Sequence, residues 1–179
     1  MRIISGIHKG RRIQAPKKLP VRPTTDMAKE ALFNIINNQY YFDEISVLDL
    51  FAGIGSISYE FASRGTEKIV SVDQEYGCIK FIEKTAQEFD MPIQIIKTDV
   101  LKYLQSCNQK YTIIFADPPY AFSADQLAQI SMLVFQNSLL ENDGLLVIEH
   151  SKHTDLSNLQ FFTYSKHYGG NMFSFFKNL

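Results

Sequence analysis

Little in this chain of 179 residues is equipped to hold a metal or a disulfide. Its two cysteines, Cys78 and Cys107, stand far apart, and Cys107 has no Cys or His at metal-ligand spacing. The four histidines, His8, His150, His153 and His167, do not cluster either. This pattern excludes a zinc site or a disulfide framework and points to a reducing, cytoplasmic location. No apolar run approaches the ~18 residues of a membrane span. The opening Met1-Arg2-Ile3-Ile4-Ser5-Gly6 lacks the apolar stretch of a secretory leader. Internal repeats and low-complexity tracts are absent. A dinucleotide fingerprint is incomplete as well: Gly53-Ile54-Gly55-Ser56-Ile57-Ser58 has two of its three glycines. That gap disfavours a dehydrogenase. What is present is ordinary for one soluble domain, with 45% hydrophobic and 21% charged residues.

The net charge of −1 conceals a segregation. Residues 1–30 carry eight basic side chains against Asp26 and Glu30, a balance of +6, which leaves −7 for the remainder. Such a split is compatible with a nucleic-acid partner where a near-neutral total would argue against one. Ile3, Ile4, Ile13 and Val21 interrupt the basic run with strand-forming residues, so a folded hairpin is expected rather than a loose arm. Arg2–Ser5 and Arg11–Gln14 read as its two strands, joined through His8-Lys9-Gly10, with Pro16 and Pro20 ending the unit. Its basic residues Arg2, Lys9, Arg11 and Arg12 are candidates for phosphate contacts. The division implied is a basic extension over 1–22 and a main domain over 23–179.

Thr24-Thr25-Asp26 offers N-cap oxygens to a helix whose apolar face is Ala28, Ala31, Leu32, Ile35 and Ile36. From there strands and helices alternate. Strands are expected at 45–51, 68–73, 93–97, 112–117 and 145–149, with helices over 57–63, around Ile79 to Phe89, and over 125–137. Asn142-Asp143-Gly144 reads as the turn into the fifth strand. The tail differs, because 161–168 and 172–176 flank Gly169-Gly170-Asn171 as a hairpin would. The predicted fold is α/β: a Rossmann-like, doubly wound, seven-stranded sheet, mostly parallel with an antiparallel C-terminal hairpin, plus a small N-terminal β-hairpin. Phe173, Phe175 and Phe176 are expected in strand packing, and His150 at the surface, with the border of the cleft as its alternative place.

Ligands of such sheets lie beyond the carboxyl ends of the strands. Asp49 and Phe51 stand at the end of the first strand, before the glycine loop Ala52-Gly53-Ile54-Gly55-Ser56, whose glycines let the backbone approach a cofactor closely. Asp73 ends the second strand, where a carboxylate can accept from both ribose hydroxyls, and Asp99 follows the third, near an adenine amino group. Each of these aspartates has a plainer role open to it as a helix cap or loop residue, and for Asp99 the two weigh almost equally. Asp117-Pro118-Pro119-Tyr120 closes the fourth strand. Its prolines fix the backbone and remove two donors, leaving a carboxylate and a carbonyl as an acceptor pair suited to an N–H2 group. Tyr120 adds a face for stacking a base. Together these pieces imply transfer of a methyl group from S-adenosylmethionine to an exocyclic nitrogen, with Asp117, Pro118, Pro119 and Tyr120 as the catalytic set.

Five segments carry a family resemblance: Arg2-Ile3-Ile4-Ser5-Gly6, Lys9-Gly10-Arg11, Arg22-Pro23-Thr24-Thr25-Asp26, Leu48-Asp49-Leu50-Phe51-Ala52-Gly53-Ile54-Gly55 and Asp117-Pro118-Pro119-Tyr120. On these the chain resembles the bacterial 16S rRNA guanine-N2 methyltransferases (RsmD-like) of the class I S-adenosylmethionine-dependent enzymes. Family members commonly carry serine where Ile54 stands, which leaves both glycines intact. The resemblance implies that Arg22, Thr24 and Thr25 lie near the cofactor. It also implies a guanine of 16S rRNA as target, within a partly assembled small-subunit particle; the enzyme is expected to work as a monomer without metal or membrane. The rival readings are a DNA adenine-N6 methylase, which uses the same amine clamp, and a non-catalytic nucleotide-binding RNA adaptor.

Overall fold

The computed structural model describes residues 1–19 and 24–178; Pro20, Val21, Arg22 and Pro23 lie outside the described residues. Seven strands form one sheet: β1 (Ser46–Leu50), β2 (Lys68–Asp73), β3 (Ile93–Lys97), β4 (Tyr111–Ala116), β5 (Leu140–Ser151), β6 (Phe162–Tyr168) and β7 (Asn171–Phe176). Their spatial order is β3-β2-β1-β4-β5-β7-β6. The first five run parallel, and β7 pairs antiparallel with both β5 and β6. The order reverses between β1 and β4, which opens a crevice at the carboxyl ends of those strands.

Helices α1 (Asp26–Asn37), α2 (Ser56–Ser63) and α3 (Tyr76–Glu88) cover one face, and α4 (Val100–Ser106) and α5 (Ala124–Gln136) the other. Alternation along the strands feeds both layers. Val47, Ile113 and Phe115 join the α1–α3 side, while Leu48, Leu50 and Ile114 join the α4–α5 side. Phe173 and Phe175 pack in the first layer and Phe176 in the second, all fully buried. Burial of a side chain of this size contributes about 1.5–3 kcal/mol.

The element boundaries follow local chemistry. Thr25 is the N-cap of α1, its hydroxyl accepting from the Ala28 N–H at 3.2 Å. Ser123 and Gln126 make a reciprocal capping box at α5. Two elements depart from expectation. Helix α4 follows β3 directly, and its seven residues are too short for an amphipathic period to stand out. Strand β5 begins at Leu140, so Asn142-Asp143-Gly144 is a bulge within it: the partner of β4 jumps from Leu140 to Leu145 between Tyr111 and Ile113.

The N-terminal segment is hairpin-like but has a single β-bridge, Arg2 to Arg12, instead of two regular strands. Its regularity comes from α2. The buried Glu60 carboxylate accepts from the Ile4 and Ser5 N–H groups at 2.8 and 3.0 Å. Ser63 takes the Ile7 and His8 N–H groups on its carbonyl and hydroxyl. A Cβ on Gly6 would sit 1.7 Å from the Ser63 carbonyl oxygen, so only glycine permits this approach. Lys29, also buried, donates to the Arg2 carbonyl at 2.6 Å and lies 3.7 Å from Glu60. Burial lowers the Lys29 pKa, and the Glu60 charge opposes that shift. Ile3 and Ile13 enter the main core on this side.

Candidate active site

A cavity of about 460 Å³ opens at the carboxyl ends of β1, β2, β3 and β4. Its walls include Asp49, Phe51, Ala52, Gly53, Asp73 and Asp99 on one side and Asp117, Pro118, Pro119 and Tyr120 on the other. A nucleoside-sized ligand fits such a volume. A larger depression of about 560 Å³ lies on the outer side of α5, beside Leu159 and Phe161. It holds Asp125 alone among carboxylates, whereas the first cavity gathers Asp49, Asp73, Glu75, Asp99 and Asp117.

On the β1–β3 side the carboxylates shape the loops they face. Asp73 accepts from the Gly53 N–H and the Glu75 N–H, both at 2.8 Å, and thereby pins the glycine loop to the end of β2. An ionised carboxylate has roughly four lone-pair sites, which leaves capacity for ligand hydroxyls. Asp99 caps α4 through the Lys102 N–H at 3.0 Å while still lining the cavity. Asp49 lies beneath, 2% exposed, and accepts from the Ser58 hydroxyl and N–H at 2.5 and 3.1 Å. Gly55 stands in the left-handed region with φ 82, and a Cβ there would meet the Tyr59 ring at 2.7 Å.

Across the cavity Asp117 follows β4, its N–H directed to the Leu50 carbonyl of the neighbouring strand. Among the described residues no side-chain hydrogen bond engages its carboxylate. The Pro119 carbonyl accepts from the Phe122 N–H at 2.9 Å, which closes the turn, and Phe122 meets Phe51 edge-on at 5.3 Å. Tyr120 stands 58% exposed at the mouth. Its hydroxyl donates to the Asn171 amide oxygen at 3.1 Å.

Three carboxyls share this low-dielectric region. Burial pushes Asp49 to about 7, against the opposing Ser58 hydrogen bonds. Burial followed by the Glu149 and Asp49 charges raises Asp117 well above the carboxylate range. Burial raises Glu149 to about 7, and the Thr24 hydrogen bond works against it. These shifts mean that the cleft resists ionisation of its carboxyls, and that a ligand bringing positive charge would favour their ionised, accepting forms.

The remaining expectations divide. Thr24 lines the cavity and donates to Glu149 at 3.1 Å. Thr25 is occupied as the α1 cap and is not part of the wall. Arg22 lies outside the described residues. Arg2 pairs with Asp26 at 3.4 Å, and the Arg11 guanidinium stacks 5.3 Å from the Phe89 ring. Lys9 and Arg12 are exposed. His150 is not at the surface: it is 6% exposed, bonded to the Ser174 hydroxyl at 2.7 Å and the Ser151 carbonyl at 2.9 Å. The antiparallel addition of β7 beside β5 covers it. Sequence reasoning missed Glu75, Cys78 and Phe122 on the wall, and Glu149 and Asn171 behind it. Glu149 had a findable signal, since it ends the strand expected over 145–149 as Asp73 ends that over 68–73, although β5 continues to Ser151. Burial pushes the Cys78 thiol to about 12, so it is an inert wall group. Among the described residues there is no cluster able to hold a metal and no helix long and apolar enough to cross a membrane.

The family model described as "Conserved hypothetical protein 95" matches residues 1–177. The Bacillus subtilis protein YlbH, provisionally named an rRNA methyltransferase, is 35% identical over 161 residues, 87% of this chain and 85% of that protein. Ribosomal RNA small subunit methyltransferase D of Haemophilus influenzae is 31% identical over 161 residues, covering 87% and 81%. In fold, the chain superposes on the Thermus thermophilus 16S rRNA N2 G1207 methyltransferase, solved with AdoMet and guanosine. The TM-score there is 0.70 at 18% identity, over 90% of this chain and 45% of that one.

Proposed function

The chain belongs to the Conserved hypothetical protein 95 family, and from that premise we propose that it is an S-adenosylmethionine-dependent rRNA methyltransferase acting on the exocyclic N2 of a guanine. The observation that carries this reading is the facing of Asp73 and the glycine loop against Asp117–Tyr120 across one cavity. Relatives named for rRNA small subunit methylation support the rRNA substrate. The guanine-N2 assignment draws on the donor set the acceptor corner suits and on the neighbour solved with AdoMet and guanosine.

The residues fit the cofactor. Gly53 and Gly55 would let backbone lie close to it, Asp73 and Asp99 would accept from its ribose hydroxyls and adenine amino group, and the carboxyls of the cleft would offset its sulfonium charge. When bound, S-adenosylmethionine supplies an electrophilic methyl group. The chain's own groups act on the amine. Asp117 and the Pro118 carbonyl accept from its two protons, which favours a localised lone pair on a nitrogen otherwise conjugated with the ring. They also stabilise the positive charge that grows on that nitrogen. No strong base is required, since the proton departs after the transfer, to Asp117 or to solvent. Tyr120 stacks on the target base once it has been turned out of its helix.

The basic segment supplies the RNA grip. Helix α2 spans about 12 Å from Ser56 at the cavity to Ser63. The N-terminal segment follows it, with Arg2 and Arg12 at the cavity end and Lys9 and Arg11 at the far end. A phosphate path leading from the cleft along this helix suits the substrate. The working unit is a cytoplasmic monomer acting on a partly assembled small-subunit particle, with residues 1–22 gripping RNA and 23–179 forming the catalytic domain.

A methyl-transfer assay with labelled S-adenosylmethionine on protein-free rRNA, small-subunit particles and duplex DNA tests this reading. N2-methylguanosine in small-subunit rRNA is the expected product. N6-methyladenine in DNA, or cofactor binding with no methylated product, overturns it.

A further inference from the structure

Three segments distant in sequence meet behind Tyr120 through one asparagine. Asn171 is the first residue of β7, registered opposite Ser151 at the end of β5. Its amide oxygen accepts from the Tyr120 hydroxyl at 3.1 Å, and its amide nitrogen donates to Glu149 at 2.5 Å. The other Glu149 oxygen accepts from the Thr24 hydroxyl at 3.1 Å. Glu149 and Thr24 are 2% and 7% exposed, so this anchor is rigid and shielded from water. Tyr120 is 58% exposed and lies within the turn closed by the Pro119 carbonyl and the Phe122 N–H, so its backbone is set while its ring projects towards solvent. A bond at the hydroxyl, the far end of the ring, restricts its rotamer more directly than contacts near the backbone do.

We propose that Asn171 is a positioning residue for the methyl acceptor, holding the Tyr120 ring in the orientation in which the target base stacks, with Glu149 and Thr24 as its anchor. This rests on the methyltransferase reading above. The C-terminal hairpin, which closes the sheet edge, then also completes the acceptor side of the cleft. The α1 approach joins the same assembly, since a Cβ on Gly169 of the hairpin turn would lie 3.5 Å from Met27. Asn171 suits this post because one amide carries both an acceptor for a hydroxyl and a donor for a carboxylate. Aspartate there would keep the first bond and set like charges together at the second.

The test is steady-state kinetics on rRNA with cofactor binding measured in parallel. Asn171→Ala is expected to raise KM for rRNA about five- to tenfold, the worth of one net hydrogen bond, with kcat within about twofold. Tyr120→Phe removes the same bond from an exposed position without touching the hairpin, and should reproduce the effect. Because one interaction is involved, the double variant should be within about twofold of the worse single one. Glu149→Gln keeps an acceptor for the asparagine and should recover most of what Glu149→Ala loses. S-adenosylmethionine affinity should be unchanged in Asn171→Ala. Unchanged KM in both single variants, or effects that multiply in the double variant, overturns the positioning role. A wild-type protein that methylates no rRNA overturns the functional reading instead, so the two failures are distinguishable.

Discussion

In the half of the cleft that follows β1, β2 and β3, carboxylates find partners close by in the chain. Asp99 reaches Lys102, Asp73 reaches Glu75 and Gly53, and Asp49 reaches Ser58, at separations of 3, 2, 20 and 9 residues. In the half that follows β4 and β5 the ties are long: 22 residues from Glu149 to Asn171, 51 from Tyr120 to Asn171, and 125 from Thr24 to Glu149. The half assigned above to the cofactor is therefore assembled from strand–loop–helix units that are contiguous in the chain. The half assigned to the methyl acceptor is complete only once α1 and the C-terminal hairpin have docked on the sheet. Damage to the first should show in cofactor affinity, and damage to the second in turnover or in RNA recognition.

The sharpest separation comes from Asp117. Asp117→Ala should lower kcat by about 10³-fold, as loss of a preorganised electrostatic group does, while leaving cofactor affinity within about twofold. Rapid-quench methyl transfer and calorimetric titration measure the two quantities. Near-normal turnover in that variant would remove the division between halves. Asp73→Ala should have the reverse profile, weakening cofactor binding about ten- to a hundredfold through loss of charged hydrogen bonds. Part of that loss comes from freeing the Gly53 N–H, so Asp73→Asn should be milder.

A smaller effect concerns RNA. Reversing Arg2 and Arg12 should lower the slope of log affinity against log salt by about 1.4, at roughly 0.7 per lost phosphate contact. Reversing Lys9 and Arg11 at the far end of α2 should do the same if the path runs the length of the helix. An unchanged slope in either pair shortens the path accordingly, as filter binding across a salt series can show.

Acidity provides a further contrast. Asp49 and Glu149 are both raised to about 7 by burial, above their unfolded values. The stability they confer is fully present below those unfolded values and is lost as pH rises through about 7. The ligand-free protein should therefore melt several degrees lower at pH 8 than at pH 5. A cationic ligand favours the ionised forms, so S-adenosylmethionine should narrow that gap and bind more tightly as pH rises. Scanning calorimetry with and without cofactor checks both signs. Smallest is Thr25→Ala: loss of the α1 cap should cost about 1 kcal/mol in denaturant unfolding and leave the cofactor constant unchanged, because Thr25 is outside the cavity wall.

How far these features were legible follows from the same distances. The bounds of β2 and β3, the α1 cap at Thr25 and the paired glycines at 53 and 55 can be read locally, because hydrophobic alternation and capping oxygens act within a few residues. Helix α4 escaped because seven residues carry too little periodicity, and the bulge in β5 because Asn142-Asp143-Gly144 looks the same at a strand's start as within it. His150 was misplaced because its burial depends on which strand comes to lie beside β5.

Sequence alone thus determined the alternating architecture, the glycine loop, the acidic strand ends and the proline-stiffened acceptor corner, all consequences of side-chain sterics and hydrogen bonding over short range. Tertiary structure alone decided that the basic segment is bolted along α2 by Glu60 and Lys29, and that Thr24, Glu149 and Asn171 converge behind Tyr120. Those contacts join positions between 22 and 125 residues apart, and no local pattern encodes them. They arise only when the two apolar faces of the sheet are covered and the chain ends are brought to the same rim.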